Sequence, residues 1–197
     1  WHGGDFRHFV AEEFASYLPK SSSGVTMLPP TEIRLEPFQE RLLEQIELAR
    51  EQGKHRNLMV AATGTGKTVM AAVDYVRLNR AKPGLRLLFV AHRKEILEQS
   101  LATFRHALRQ GAFGELWVGS RSPTHYDHVF ASIQSLTAHD IERIDPGHFD
   151  VVIVDEFHHA CASTYDRLLN HLQPKELLGL TATPERVDGR SVLEWFE

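Results

Sequence analysis

Six short apolar runs alternate with amphipathic stretches along most of the chain, and each run ends in small or polar residues. The runs cover residues 58–62, 85–91, 115–118, 128–131, 150–154 and 177–180. Runs of this length are typical of strands that are buried on both faces of a sheet. Helical periodicity lies between them, over 38–52, 69–80 and from 92–94 to about 110. The pattern predicts an α/β fold, a mainly parallel sheet of about six or seven strands with helices on both faces.

The first apolar run leads directly into a loop that contains two glycines and ends in Lys-Thr. Such a loop between a strand and a helix lets backbone N–H groups surround a phosphate, and the new helix adds partial positive charge. The lysine can reach the β- and γ-phosphates, and the last threonine can be a Mg²⁺ ligand. Ala61 replaces the usual first glycine, so an ordinary strand-to-helix turn is the alternative. The predicted nucleotide-binding residues here are Thr63, Gly64, Thr65, Gly66, Lys67 and Thr68.

The fifth run, Val-Val-Ile-Val, ends in two adjacent carboxylates, Asp155 and Glu156. Placing carboxylates at the end of a buried strand costs folding free energy, so their presence there suggests a function. We expect Asp155 to join the Mg²⁺ shell and Glu156 to orient and deprotonate an attacking water. The alternative is that the nearby histidines and Cys161 bind zinc, but their spacing matches no common zinc site.

Two further short segments, residues 38–39 and the end of the sixth run, complete a predicted nucleotide site. Phe38 could stack on a base and Gln39 could hydrogen-bond an adenine edge, although a capping glutamine beside a core aromatic is the alternative. The sixth run ends in Thr181-Ala182-Thr183-Pro184. Its two hydroxyls could bond neighbouring carboxylates, and a simple turn before proline is the alternative.

Candidate nucleic-acid contacts follow the second and fourth runs. His92 and Arg93 open a helix, where basic residues oppose the helix dipole and therefore suggest a bound anion such as a backbone phosphate. Ser132 and Gln134 lie at the end of another strand, where ligands collect in open α/β sheets. A solvated basic turn is the alternative for the first pair.

Composition limits these hypotheses without adding a site. The net charge is −4, so any contact with nucleic acid must be local, and no apolar run has membrane-spanning length. The single Cys161 is compatible with a cytoplasmic protein. The composition of residues 1–30 indicates an aromatic tail followed by a Ser/Pro-rich linker. Residues 9–18 of the tail could form a short amphipathic helix. The alternative is that the tail is the end of a preceding domain. We expect 31–190 to be the nucleotide-binding domain and 191–197 to begin a connection to a second one.

Taken together, these motifs resemble the first RecA-like domain of a superfamily-two helicase or translocase. The segment 35–39 resembles the Q motif, with Glu36 in place of the more usual arginine. The loop at 62–68 matches motif I, and 91–93 and 131–136 resemble motifs Ia and Ib. The segment 155–158 is a DExH form of motif II, and 181–183 is motif III. Within the superfamily, the chain looks most like the helicase subunit of type III restriction enzymes.

The resemblance implies a RecA-like P-loop NTPase domain that hydrolyses ATP with Mg²⁺ and is coupled to movement on nucleic acid, DNA more than RNA. It implies that His158, Thr181 and Thr183 couple the nucleotide site to a partner domain, and that motifs Ia and Ib hold the phosphate backbone. A second RecA-like domain with an arginine finger is expected after this segment of a longer polypeptide. Two alternatives stay open: a P-loop NTPase that does not act on nucleic acid, and a non-catalytic nucleotide- or DNA-binding module.

Overall fold

Six parallel strands form one sheet in the computed structural model, which describes residues 33–138, 141–156, 162–182 and 195–196. The strands are β1 (Arg56–Val60), β2 (Leu87–Ala91), β3 (Glu115–Trp117), β4 (His128–Ser132), β5 (Val151–Asp155) and β6 (Glu176–Thr181). Their order across the sheet is β1-β6-β5-β2-β4-β3. The predicted parallel α/β architecture is confirmed.

The helices of the described residues are α1 (Pro37–Glu51), α2 (Lys67–Ala81), α3 (Lys94–Leu108), α4 (Ile133–Ala138) and α5 (Ala162–His171), with a 3₁₀ turn at Ile141–Arg143. Helices α1, α2 and α3 pack on one face of the sheet, and α4 and α5 pack on the other. None of these helices is long and apolar enough to span a bilayer.

Alternation of side chains along each strand produces two separate cores. In β2, Leu87, Phe89 and Ala91 point into the core under α1–α3, whereas Leu88 and Val90 point into the core under α4 and α5. All five residues are fully buried, which explains why the strand reads as one continuous apolar run.

The first strand and the second helix begin earlier than the sequence predicts. We expected a strand at 58–62, but β1 ends at Val60, because the carbonyls of Ala61 and Ala62 turn toward the Lys67 ammonium. We expected a helix from residue 69, but Gly66 already acts as the N-cap, so α2 begins at Lys67. Both shifts bring Lys67 onto the first turn of the helix.

Candidate nucleotide-binding and catalytic site

The carboxyl ends of three neighbouring strands bring the predicted nucleotide-binding motifs together. In the sheet register Val60 lies opposite Thr181, and Asp155 lies opposite Leu180. Immediately beyond the paired residues, the Ala61 N–H donates to the Thr181 carbonyl oxygen at 3.0 Å. The phosphate loop, the acidic pair and the start of the Thr-Ala-Thr turn therefore share one edge of the sheet, where α/β proteins bind ligands.

The phosphate loop has backbone angles that require its glycines. Gly64 and Gly66 both have φ +82°, in the left-handed region that other residues rarely adopt. Between them Thr65 turns back on Ala62, whose carbonyl accepts bonds from the Thr65 N–H at 3.3 Å and the Thr65 hydroxyl at 2.7 Å. Space is also limited, because a Cβ on Gly66 would lie 2.6 Å from Gln39 Nε2. The loop is thus a tight turn that opens directly into α2.

Lys67 lies inside this loop. Its ammonium donates to the Ala61 carbonyl at 2.8 Å and to the Ala62 carbonyl at 3.1 Å. Burial lowers the pKa of Lys67, and the charges of Asp155 and Glu156 oppose that shift. Among the described residues, these neutral carbonyls are the hydrogen-bond partners of the ammonium, and a half-buried cation can exchange them for the oxygens of an anionic phosphate.

The acidic pair has one buried and one more accessible member. Asp155 is 6% exposed, and burial raises its pKa to about 6; the Glu156 N–H and the Lys67 charge oppose this rise, while the Glu156 charge adds to it. Glu156 has φ 52° and donates its N–H to Asp155 Oδ1 at 2.8 Å. A non-glycine residue in this conformation is strained, and such strain is concentrated at functional sites. This conformation could not be predicted, because glutamate carries no preference for the left-handed region.

The residues present fit a divalent cation. Asp155 is a desolvated carboxylate whose charged form is disfavoured by its surroundings, so a cation beside it would supply the missing stabilisation. Carboxylate and hydroxyl oxygens are suitable ligands for Mg²⁺. Thr68 carries a hydroxyl in the first turn of α2, directly after the loop.

Gln39, from the segment that resembles the Q motif, contacts the phosphate loop. Gln39 is 5% exposed; its Nε2 donates to the Thr65 carbonyl at 2.8 Å, and its Oε1 accepts the Glu36 N–H at 2.8 Å. The second bond is the capping interaction weighed as the alternative, whereas the bond to Thr65 was not predicted. The neighbouring Phe38 is 37% exposed, so its ring remains accessible to a base. Base recognition by this pair stays a prediction.

The predicted nucleic-acid contacts form a second cluster at the ends of β2 and β4. Ala91 and Ser132 are opposite each other in the register, and just beyond them Gln134 Nε2 lies 2.8 Å from His92 Nδ1. Arg93, the N-cap residue of α3, is exposed. The pairing of β2 with β4 therefore brings the two motifs together.

Ser132 has a structural role within this cluster. It is 5% exposed, and its hydroxyl accepts the Ser135 N–H at 3.1 Å and lies 2.8 Å from Ser135 Oγ. Ser132 therefore caps the short helix α4, and a contact between its hydroxyl and a nucleic acid stays a prediction. The three-residue spacing of the two serines is a capping signal that sequence reasoning could have used.

The remaining predicted residues, Thr183 and His158, lie outside the described residues. So do His159 and Cys161, on which the zinc alternative depends.

Comparison with known proteins decides the family. The family described as "Type III restriction enzyme, res subunit" matches residues 32–186, most of the chain. The chain belongs to this family. As a member of the res-subunit family, it contains a RecA-like domain of the superfamily-two helicase type.

Relatives of this family member include a "Putative mitochondrial ATP-dependent helicase irc3" of Schizosaccharomyces pombe, 30% identical over 86% of the chain and 29% of the relative. A "Type I restriction enzyme EcoAI endonuclease subunit" of Escherichia coli is 30% identical over 73% of the chain and 18% of the relative. The chain thus spans less than a third of these relatives.

Solved structures support the same fold. The UvsW helicase from bacteriophage T4 superposes with a TM-score of 0.63 at 17% identity, over 90% of this chain and 60% of that one. The type ISP restriction-modification enzyme LlaGI gives a TM-score of 0.61 at 20% identity, over 81% of this chain and 18% of that one.

A partly buried ion network lies at the opposite edge of the sheet in this res-family domain. Arg50 forms a bidentate pair with Asp74 at 2.6 and 2.7 Å and donates to Glu176 at 2.8 Å, and His55 lies 2.8 Å from Glu176. The network joins α1, α2 and β6, all of which reach the nucleotide site at their other ends. Motif spacing could not reveal this connection.

Proposed function

We propose that this chain is the ATP-binding half of a nucleic-acid-dependent ATPase motor of superfamily two, of the restriction-enzyme type. It hydrolyses ATP with Mg²⁺ when joined to a second RecA-like domain. The observation that carries the proposal is the meeting of the phosphate loop, Thr181 and the acidic pair at one sheet edge, through the bond from Ala61 to Thr181. The names of the relatives, which include ATP-dependent helicases, support it.

Each residue of the nucleotide site has a role that follows from its position. The N–H groups of residues 63–68 surround the phosphates, and Lys67 exchanges its loop carbonyls for phosphate oxygens. Thr68 and Asp155 would hold Mg²⁺, which when bound neutralises charge on the phosphates. Glu156, more exposed than Asp155 and outside the metal shell, accepts the proton of the attacking water. Phe38 and Gln39 bind the base.

The second half of the proposal concerns nucleic acid. Arg93 is exposed beside the pair formed by His92 and Gln134, and cationic and amide side chains of this kind contact backbone phosphates. We favour DNA, because the relatives include restriction enzymes and LlaGI was solved with a DNA substrate mimic. With a net charge of −4, binding depends on this local cluster and on the partner domain.

The second RecA-like domain would supply the catalytic arginine. Phosphoryl transfer in such motors uses an arginine that meets the developing charge, and this contribution is worth roughly 10³–10⁵ in rate. Thr181, and the predicted Thr183 and His158, would transmit the state of the acidic pair to that domain.

The test is steady-state ATP hydrolysis by a polypeptide that joins this chain to its second RecA-like domain, with and without DNA. Glu156→Gln should leave Mg²⁺-nucleotide affinity nearly unchanged and reduce turnover by about 10²–10⁴-fold, the usual contribution of a general base. Glu44→Gln, the same change on the exposed face of α1, is the control and should leave both unchanged. Hydrolysis by Glu156→Gln at the parental rate would remove Glu156 from the mechanism. A parental rate that DNA does not raise would contradict the motor function.

A further inference from the structure

A groove with a cationic rim lies between α2, the end of α3 and the segment that leads into α1. Its volume is about 810 Å³, and no residue of the phosphate loop or of the acidic pair lines it. Most of its lining is polar, and its apolar lining residues include Leu35, Val73, Val76 and Leu108. These four side chains are only partly buried, so the groove offers an occupant apolar contacts beside charged ones.

Arginines dominate the charged rim. Arg77, Arg80 and Arg109 line the groove, against Glu40 as its one acidic lining residue. Glu40 already pairs with Arg77 at 2.5 Å. Arg80 and Arg109 are exposed and form no ion pair with any carboxylate of the described part of the chain. The groove therefore matches a segment with an apolar stripe and acidic residues beside it.

We propose that the occupant is residues 9–18 of the same chain. In that segment Val10, Phe14, Tyr17 and Leu18 follow the i, i+4, i+7, i+8 spacing of a helical apolar stripe. Glu12 and Glu13 supply the acidic residues. An amphipathic helix placed in a groove through such a stripe is a common mode of recognition.

The position of the groove favours a segment of this chain over a separate protein. Ile33, which begins the described residues, is itself part of the groove lining. Residues 19–32 connect 9–18 to this point and can extend at most about 45–50 Å, enough to return to the same groove. A short linker holds the segment at an effective concentration on the order of 1 mM, so a weak fit is sufficient for occupancy.

A charge-reversal experiment on the whole 197-residue chain tests this proposal. Chymotrypsin cleaves after Phe9, Phe14 and Tyr17, and mass spectrometry gives the initial rate at each site. The groove variant Arg80→Glu/Arg109→Glu should be cleaved about three- to tenfold faster than the parent, because two favourable charge contacts become repulsive.

The matched tail variant, Glu12→Lys/Glu13→Lys, should be cleaved faster by a similar factor. Combining the four substitutions should return cleavage to near the parental rate, because opposite charges again face each other. The control Arg41→Glu/Lys54→Glu makes the same change in charge at exposed positions outside the groove and should cleave like the parent.

The tail variant keeps the described domain intact, so it decides the question even if the groove variant unfolds. Parental cleavage of the tail variant overturns the proposal. When circular dichroism shows that the four-substitution protein is folded like the parent, its cleavage at a rate faster than that of either pair also overturns the proposal, and leaves the groove to another ligand. Acceleration by each pair together with restoration in combination confirms it.

Discussion

Removing the charge of Asp155 should stabilise the domain, although it damages the site. Asp155 is 6% exposed, and burial raises its pKa from 3.8 to about 6. The ionised side chain therefore costs folding free energy that a neutral side chain of the same size would not. Asp155→Asn is that neutral substitute, and its carbonyl oxygen can still accept the Glu156 N–H that Asp155 Oδ1 accepts at 2.8 Å.

The magnitude follows from the difference between the two pKa values. A change from 3.8 to about 6 corresponds to about 3 kcal/mol of destabilisation when the carboxylate is ionised in both the folded and the unfolded state. Above about pH 6 the full cost applies to the parent, and the variant gains it. Between about pH 6 and 4 the unfolded parent loses its proton while the folded parent keeps it, so parental stability falls as pH rises through this window. Below about pH 4 both states are protonated and the advantage of the variant disappears.

Thermal unfolding followed by circular dichroism measures the effect. At about pH 8 the melting temperature of Asp155→Asn should exceed that of the parent by roughly 6–12 °C, and the gain should shrink to zero near pH 4. Calorimetry on the same protein should show weaker Mg²⁺-dependent nucleotide binding, because a charged ligand has been removed.

The matched control is Asp150→Asn, at the residue that immediately precedes the same strand. Burial acts to raise the pKa of Asp150, but the Arg86 N–H and Lys175 outweigh it, so the net pKa is lowered. This variant should therefore be less stable than the parent at neutral pH, and the difference should fade as pH falls through the lowered pKa. A stability gain in Asp155→Asn that persists at about pH 4, or no gain at about pH 8, would refute the reasoning from burial.

Three further changes test the phosphate loop and the nucleic-acid cluster. Lys67→Ala should weaken nucleotide binding by about ten- to a hundredfold, the value of one charged hydrogen-bonding contact, and equal ADP affinity in calorimetry would contradict this. Gly66→Ala should also weaken nucleotide binding, because φ at this position is +82° and the new Cβ would lie 2.6 Å from Gln39 Nε2. The control is Gly53→Ala, where φ is +81° but the space around the new Cβ is open. It has the backbone strain without the steric contact. Arg93→Ala in the two-domain protein should reduce DNA affinity equally on all sequences, as the loss of a phosphate contact would. If binding titrations showed a loss confined to particular sequences, Arg93 would contact bases instead.

The fold and the position of the site could be predicted because each depends on short, local patterns. Strands buried on both faces need continuous apolar residues, as in Leu87–Ala91, and parallel strands present their carboxyl ends at one edge. The convergence of Lys67, Asp155 and Thr181 then follows from their places at strand ends. The order of strands across the sheet did not follow, since nothing in β1 itself indicates that its neighbour is β6.

The details that could not be predicted depend on contacts between distant segments. The bond from Gln39 to Thr65 joins residues 26 positions apart, and that from Arg50 to Glu176 joins residues 126 positions apart. The left-handed backbone of Glu156 is imposed by its surroundings. The capping role of Ser132 was missed for another reason, since a polar residue at a strand end was interpreted only as a ligand contact, although its hydroxyl caps the following helix.

The register of the sheet has a mechanical consequence. The nucleotide residues follow β1, β6 and β5, and the nucleic-acid residues follow β2 and β4, so β5 and β2, which pair directly, form the joint between the two clusters. Both strands are fully buried and are packed on both faces, and such an interior resists compression. The sheet therefore keeps the two clusters at a fixed spacing. In the motor proposed above, movement would have to arise in the loops at this edge, or between this domain and the proposed second domain.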